Sequence, residues 1–261
     1  MKTPNRFSAL GLALSLALAA CNADNTTLPD TPLATTAVDR DIALSSGDAA
    51  AQDIELMGAA AGPLGLGLAP SATAADDIPF RCGTHTREAL TIVRTCTFKD
   101  AAGTAQSDYN ALTTASADIH AVITGGVTRD NWTATEINRV RDLVVSGLAG
   151  IETQRTWNGA GTGSSKRERH TENGEVRDYT TASTLTVTNV VVPAPRTENS
   201  WPLSGTITRH VTITVVGGPN DGKTRERTVT INFNGSQLVP IQVNDKSYTF
   251  DLKTRKIVTG A

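Results

Sequence analysis

The sequence predicts a mostly β protein: a single antiparallel meander domain, behind an N-terminal leader and a flexible segment with one short helix. Three observations predict it. Threonine and valine are abundant while aromatic residues make up only 4% of the chain, a composition suited to a pleated, half-buried surface rather than to a helical bundle. From about residue 89 onward, apolar and polar side chains alternate in short runs, the period of strands with one buried face. Those runs are punctuated by turn chemistry such as Asn173-Gly174, Pro193-Ala194-Pro195 and Asn234-Gly235, the residues that set hairpins and loops.

The N-terminus comes first. Lys2 and Arg6 precede an apolar run from Phe7 to Leu18. That run falls short of the roughly 20 residues a helix needs to span a bilayer, so it has the layout of a secretory signal peptide over 1–20. The residues that close it, Leu18-Ala19-Ala20-Cys21, resemble the lipobox of bacterial lipoproteins. The resemblance implies cleavage before Cys21, diacylation of the Cys21 sulfur and acylation of the new amine. It also implies attachment to a membrane through several acyl chains, as stable anchoring requires. Asn22, where an aspartate would favour the inner membrane, points to the outer one. The resemblance covers about 21 residues and carries no fold or activity; the plainer alternative is an ordinary signal peptide with an incidental cysteine.

Residues 21–77 read as an acidic flexible tether. Positions 22–79 hold nine acids against one base, Arg40. Two readings follow: a solvated linker kept extended by self-repulsion, or a segment that folds back onto a basic face of the domain and competes there with an anionic ligand. Within it, residues 46–60 are alanine-rich, and Ala50, Ile54 and Met57 fall at helical spacing. A short helix there would be marginal on its own. It serves either as a docking element or as local packing. Residues 58–75 read as linker.

The β domain occupies 78–261, with 21 bases and 17 acids. Cys82 and Cys96 are an even pair in an exported chain and read as a disulfide. Closing so short a loop stabilises by about 3 kcal/mol in the chain-entropy account. Ala89–Phe98 is a strand with Leu90, Ile92, Cys96 and Phe98 on one face; Arg94 interrupts that face, which suggests a sheet edge. Ile119–Val127 is a strand broken at Gly125-Gly126. Residues 130–139 are ambiguous between a helical turn opened by Thr133-x-x-Glu136 and a hairpin loop through Trp132. Strands follow at 141–148 and 151–157, then a glycine-rich turn over 158–163. A hairpin across Asn173-Gly174 joins 166–171 to 175–181. The remaining strands are 184–192, 206–216 (inward Ile207, Val211, Ile213 and Val215, with Arg209 the exception), 224–233, 239–243 and 248–252. Nine to eleven strands, each with one apolar face, make a curved sheet, a sandwich or an up-and-down barrel.

Catalytic and metal-binding patterns are not found. Gly-x-Ser-x-Gly does not occur, His85, His120, His170 and His210 are scattered, and no glycine-rich loop has phosphate-loop form. The sequence therefore names no catalytic residue, metal or cofactor. One charged feature stands out. Arg167 and Arg169 share a strand face, as do Arg225 and Arg227, and Arg209 joins them if these strands are neighbours. Such a stripe would hold an anionic glycan or lipid headgroup; the alternative is solvated strand surface with cross-strand charge pairs. Nucleic acid is not the expected partner of an exported domain this poor in aromatics. The expectation is a non-enzymatic binding or scaffold domain of the cell envelope, meeting an envelope protein, glycan or lipid. The first alternative is a carrier of an apolar ligand in a β-lined cavity, and the second an envelope hydrolase.

Overall fold

The computed structural model describes residues 35–57, 82–149, 152–197 and 199–260. The signal peptide, Cys21, the first part of the tether and the 58–75 linker lie outside the described residues.

The first element is a helix, α1 (Thr35–Met57). Twelve strands follow. β1 (Gly83–Arg87), β2 (Ala89–Asp100), β3 (Ala105–Gln106) and β4 (Thr114–Arg129) open the domain. β5 (Trp132–Ser146), β6 (Gln154–His170), β7 (Val176–Pro193) and β8 (Ser204–Val216) are the long central strands. β9 (Thr224–Asn232), β10 (Leu238–Val243), β11 (Lys246–Asp251) and β12 (Lys256–Gly260) complete the chain. All belong to one antiparallel sheet in the order β1-β2-β4-β5-β6-β7-β8-β9-β10-β11-β12, with the two-residue β3 attached to β2. The meander is as expected, and one continuous sheet rules out a sandwich.

The inner face is built by simple alternation. On β8, Ile207, Val211 and Ile213 are buried between exposed or half-buried neighbours; on β10, Val239, Ile241 and Val243 do the same. The sheet curls about this face. Arg87 at the end of β1 and Arg255, which follows β11, both ion-pair with Glu55 of α1. Lys256 of β12 reaches Asp130, between β4 and β5, at 3.0 Å. The two ends of the strand order thus meet around the helix, although among the described residues no strand pairing joins β1 to β12.

Several expectations change. The helix is 23 residues long rather than confined to 46–60, and 16 of its residues are buried, so this part of the 21–77 segment is core rather than extended tether. β2 is not an edge strand: β1 and β4 pair with it on either side. The ambiguous stretch 130–139 holds no helical turn; the hairpin turn is Asp130-Asn131, just before Trp132, which pairs with Arg129. The rest, from Trp132, opens β5, with a register shift between Thr135 and Asn138 where Glu136 takes a positive φ of 50°. The glycine-rich run 158–163 is not a turn but the middle of β6. Gly161 faces inward there, and a Cβ at that position would meet the Val140 carbonyl at 2.4 Å and the Arg141 side chain at 2.8 Å. These glycines leave the space in which Arg141 lies across the sheet. β12 was not expected at all.

Candidate functional site

The concave face of the sheet is filled by α1, and what joins them is charge. In a helix of about 3.6 residues per turn, Asp41, Asp48 and Glu55, seven apart, fall on one side. Asp39 and Asp53, fourteen apart, fall on the opposite side. An acidic helix with carboxylates on both sides cannot present a single apolar stripe, and it is buried only because each carboxylate has partners.

Those partners come from nearly every strand. Asp39 takes Arg227 of β9 at 2.6 Å and Lys246 of β11 at 2.7 Å. Asp41 takes Arg169 of β6 at 3.3 Å, Arg177 of β7 at 2.9 Å and the Tyr179 hydroxyl, which donates at 2.8 Å. Burial, then the Asp41 charge, pushes the Tyr179 hydroxyl well above the ordinary phenol range and keeps it protonated as that donor. Asp48, fully buried, takes Arg129 of β4 at 3.3 Å and Arg255 at 3.0 Å. Asp53 takes Arg141 of β5 through two oxygens, at 2.8 and 3.3 Å. Glu55 takes Arg87 and Arg255. The C-terminal carbonyls of the helix, which have no intrahelical donors, accept from Arg94 at 2.9 Å (Leu56 O) and Arg196 at 3.0 Å (Ile54 O). Cations at this end also oppose the negative pole of the helix dipole. Apolar contact completes the fit: Val38, Ile42, Ala50, Ile54 and Met57 join the same buried cluster as Ile207, Val229, Ile241 and Phe250.

The residues singled out from sequence are distributed as follows. Cys82 and Cys96 form a disulfide with their Cα atoms 6.0 Å apart, tying β1 to β2. Arg169, Arg209 and Arg227 are all on the inner face, where they meet Asp41, Asp53 and Asp39 of the helix. Arg167 shares that face and lies over the Trp132 ring, 4.8 Å from its centroid. Arg225 is half-buried on the same face of β9. The stripe is therefore internal rather than an outer anion-binding surface, and β7 separates β6 from β8 and β9. Arg129 and Arg141 carry the same signal, a charged residue at an inward position of a strand, whereas Arg255 reaches the helix from the turn between β11 and β12.

The outer face has separate chemistry. His120 pairs with Asp142 at 2.7 Å and His170 with Glu168 at 2.6 Å, all four well exposed. His210 bonds Thr228 at 3.1 Å. Among the described residues no three His, Cys, Asp or Glu side chains are grouped as metal ligands would be. An open groove of about 400 Å³ crosses β5–β8, lined by Asn138, Thr162, Ser164, Thr184, His210 and Thr212. Fold and site together define a helix-filled, single-sheet β domain. No known protein family, curated protein or solved structure matches the chain.

Proposed function

We propose that this protein is a lipid-anchored, non-enzymatic binding or scaffold domain of the cell envelope that meets its partners through its outer surface. The observation that supports this most is the filled interior. The place a carried apolar ligand would take is held by α1, and the interior carboxylates are committed to arginine and lysine partners. That favours a scaffold over the carrier alternative. The lipobox residues supply the anchor, with the outer membrane favoured by Asn22.

The helix changes the geometry of this anchor. Thirteen residues lie between Cys21 and Thr35. At up to about 3.4 Å per residue they span no more than about 45 Å, so the domain is held near its membrane rather than on a 56-residue leash. Two measurements test the reading. Cys21→Ser should move the protein from the membrane to the soluble fraction of the envelope or leave it unprocessed; continued partitioning to membrane would sink the anchor. Native mass spectrometry of the mature protein from its own envelope should give polypeptide plus acyl chains, and a retained apolar molecule would restore the carrier reading.

A further inference from the structure

One part of the cradle departs from the pattern set by the rest. Asp39, Asp41, Asp48 and Glu55 each ion-pair with two cations. Around Asp53, four guanidinium groups lie close enough to feel one another: Arg139, Arg141, Arg167 and Arg209. Arg141 uses both Asp53 oxygens. Arg209 Nη1 stops 3.6 Å from Oδ2. Arg139 donates to the neutral Gln52 Oε1 at 2.6 Å, and Arg167 stacks on Trp132. Asp53 pairs with Arg141 and Arg209, and Asp48, itself paired with Arg129 and Arg255, acts on Arg139 and Arg167 from farther off; guanidinium groups thus outnumber carboxylates in a dry interior, where uncompensated charge is costly.

The donors left over are specific. Arg209 is 6% exposed, yet among the described residues its Nε and Nη1 have no hydrogen-bond partner, while Nη2 donates to Ser183 Oγ at 3.0 Å. Arg167 Nε is likewise buried with no hydrogen-bond partner among the described residues. Burial first, then its arginine neighbours, pushes Arg209 down to about 9, and burial with Arg139 pushes Arg167 down to about 10. A guanidinium holds its proton regardless, so the downward push measures a desolvation cost that a nearby anion would offset. The β6 backbone beneath carries glycines against which the Arg139 and Arg141 stems lie. β6 presents Gly163 and Ser165, and β7 presents Thr181 and Ser183, as a small-residue, hydroxyl-bearing strip level with Arg139 on β5, while Gly161 and Leu185 stand between Arg141 on β5 and Arg209 on β8.

We propose that Arg139, Arg167 and Arg209, with the Ser183 hydroxyl, form a buried binding site for a small tetrahedral oxyanion of the phosphate or sulfate class. Guanidinium forks match the two-oxygen edges of such an ion, and a tetrahedron offers edges to more than one fork. The site is independent of the anchor and the scaffold reading.

The test uses the mature full chain, with inorganic phosphate and sulfate as probes. Thermal unfolding is followed as either ion replaces chloride at constant ionic strength, with calorimetric titration of phosphate beside it. The expected result is a saturable rise in Tm, as ligand binding to the native state requires, and at least tenfold weaker phosphate binding in Arg209→Gln and Ser183→Ala. If Arg209→Gln does not fold, Arg167→Gln and Ser183→Ala carry the comparison. A non-saturating rise of equal size in wild type and variants is the general salting effect of these ions and overturns the site. So does a Tm that responds to phosphate and sulfate no more than to chloride.

Discussion

Gly47 marks a close approach of helix to sheet. A Cβ there would sit 2.6–2.7 Å from the ring of Phe250, which is fully buried on β11. The ring cannot withdraw without displacing the core around it. Gly47→Ala therefore sets an overpacking cost of about 1–3 kcal/mol against a helix-propensity gain of up to about 1 kcal/mol. The expected outcome is a net loss, read as a lower denaturant midpoint at unchanged m-value. Pairing it with Phe250→Leu should cost less than the sum of the two single changes, because the new methyl enters the space the ring leaves. Additive costs would place the contact elsewhere. At this scale the sequence is informative but easily misread. Arg94 and Arg209 stand out as charges at inward positions, and their alternation does place them on the inner face. Their meaning depends on Leu56 O and on Asp53, which lie 38 and 156 positions away in the chain, and local patterning does not reach that far.

At the scale of elements, the strands are largely legible in the sequence, and the helix is legible only in its C-terminal part, 46–57. Period-2 alternation over a buried face survives in β8, β9 and β10 because each faces a continuous core. It fails in β6, where Gly159, Gly161 and Gly163 stand at or near inward positions to admit arginines from β5, so the run reads as a turn. α1 lacks an apolar stripe because it is surrounded, and Ser45-Ser46-Gly47 interrupts its middle with weak helix formers. The trace it does leave is the seven-residue spacing of Asp41, Asp48 and Glu55, which has no use in a random acidic tether. Burial and pairing make a dynamic prediction. Backbone amides of residues 42–54 should exchange with deuterium as slowly as those of β5–β8, since opening them requires separating Asp48 and Asp53 from their arginines. Exchange within seconds, as in an extended linker, would mean that the helix is not held in the sheet.

At the scale of the whole molecule, the curled sheet has a seam. β1 and β12 are the last strands at either end of the order, and among the described residues no backbone ladder closes them. Such edges are liabilities, open to fraying or to pairing with another chain. Here the disulfide fastens β1 to β2, and Glu55 draws the two ends together. Its side chain is only 6% exposed, and it takes Arg87 from β1 on one oxygen and Arg255 from the β11–β12 turn on the other, the latter at 2.5 Å. Glu55→Gln keeps the shape and removes the charge, leaving two largely buried guanidinium groups facing a neutral amide. Arg255 retains Asp48 at 3.0 Å, so the loss should fall mainly on the β1 side. Breaking one partner of a buried pair costs about 3–5 kcal/mol, with some relief here because Arg87 is 17% exposed. The expected signature is uneven. Deuterium uptake and protease cleavage should rise at β1 and β12, while β5–β8, which are tied by continuous ladders on both sides, keep their protection. Protection lost evenly across all strands would show instead that Glu55 supports the global fold and that the seam is held by other contacts.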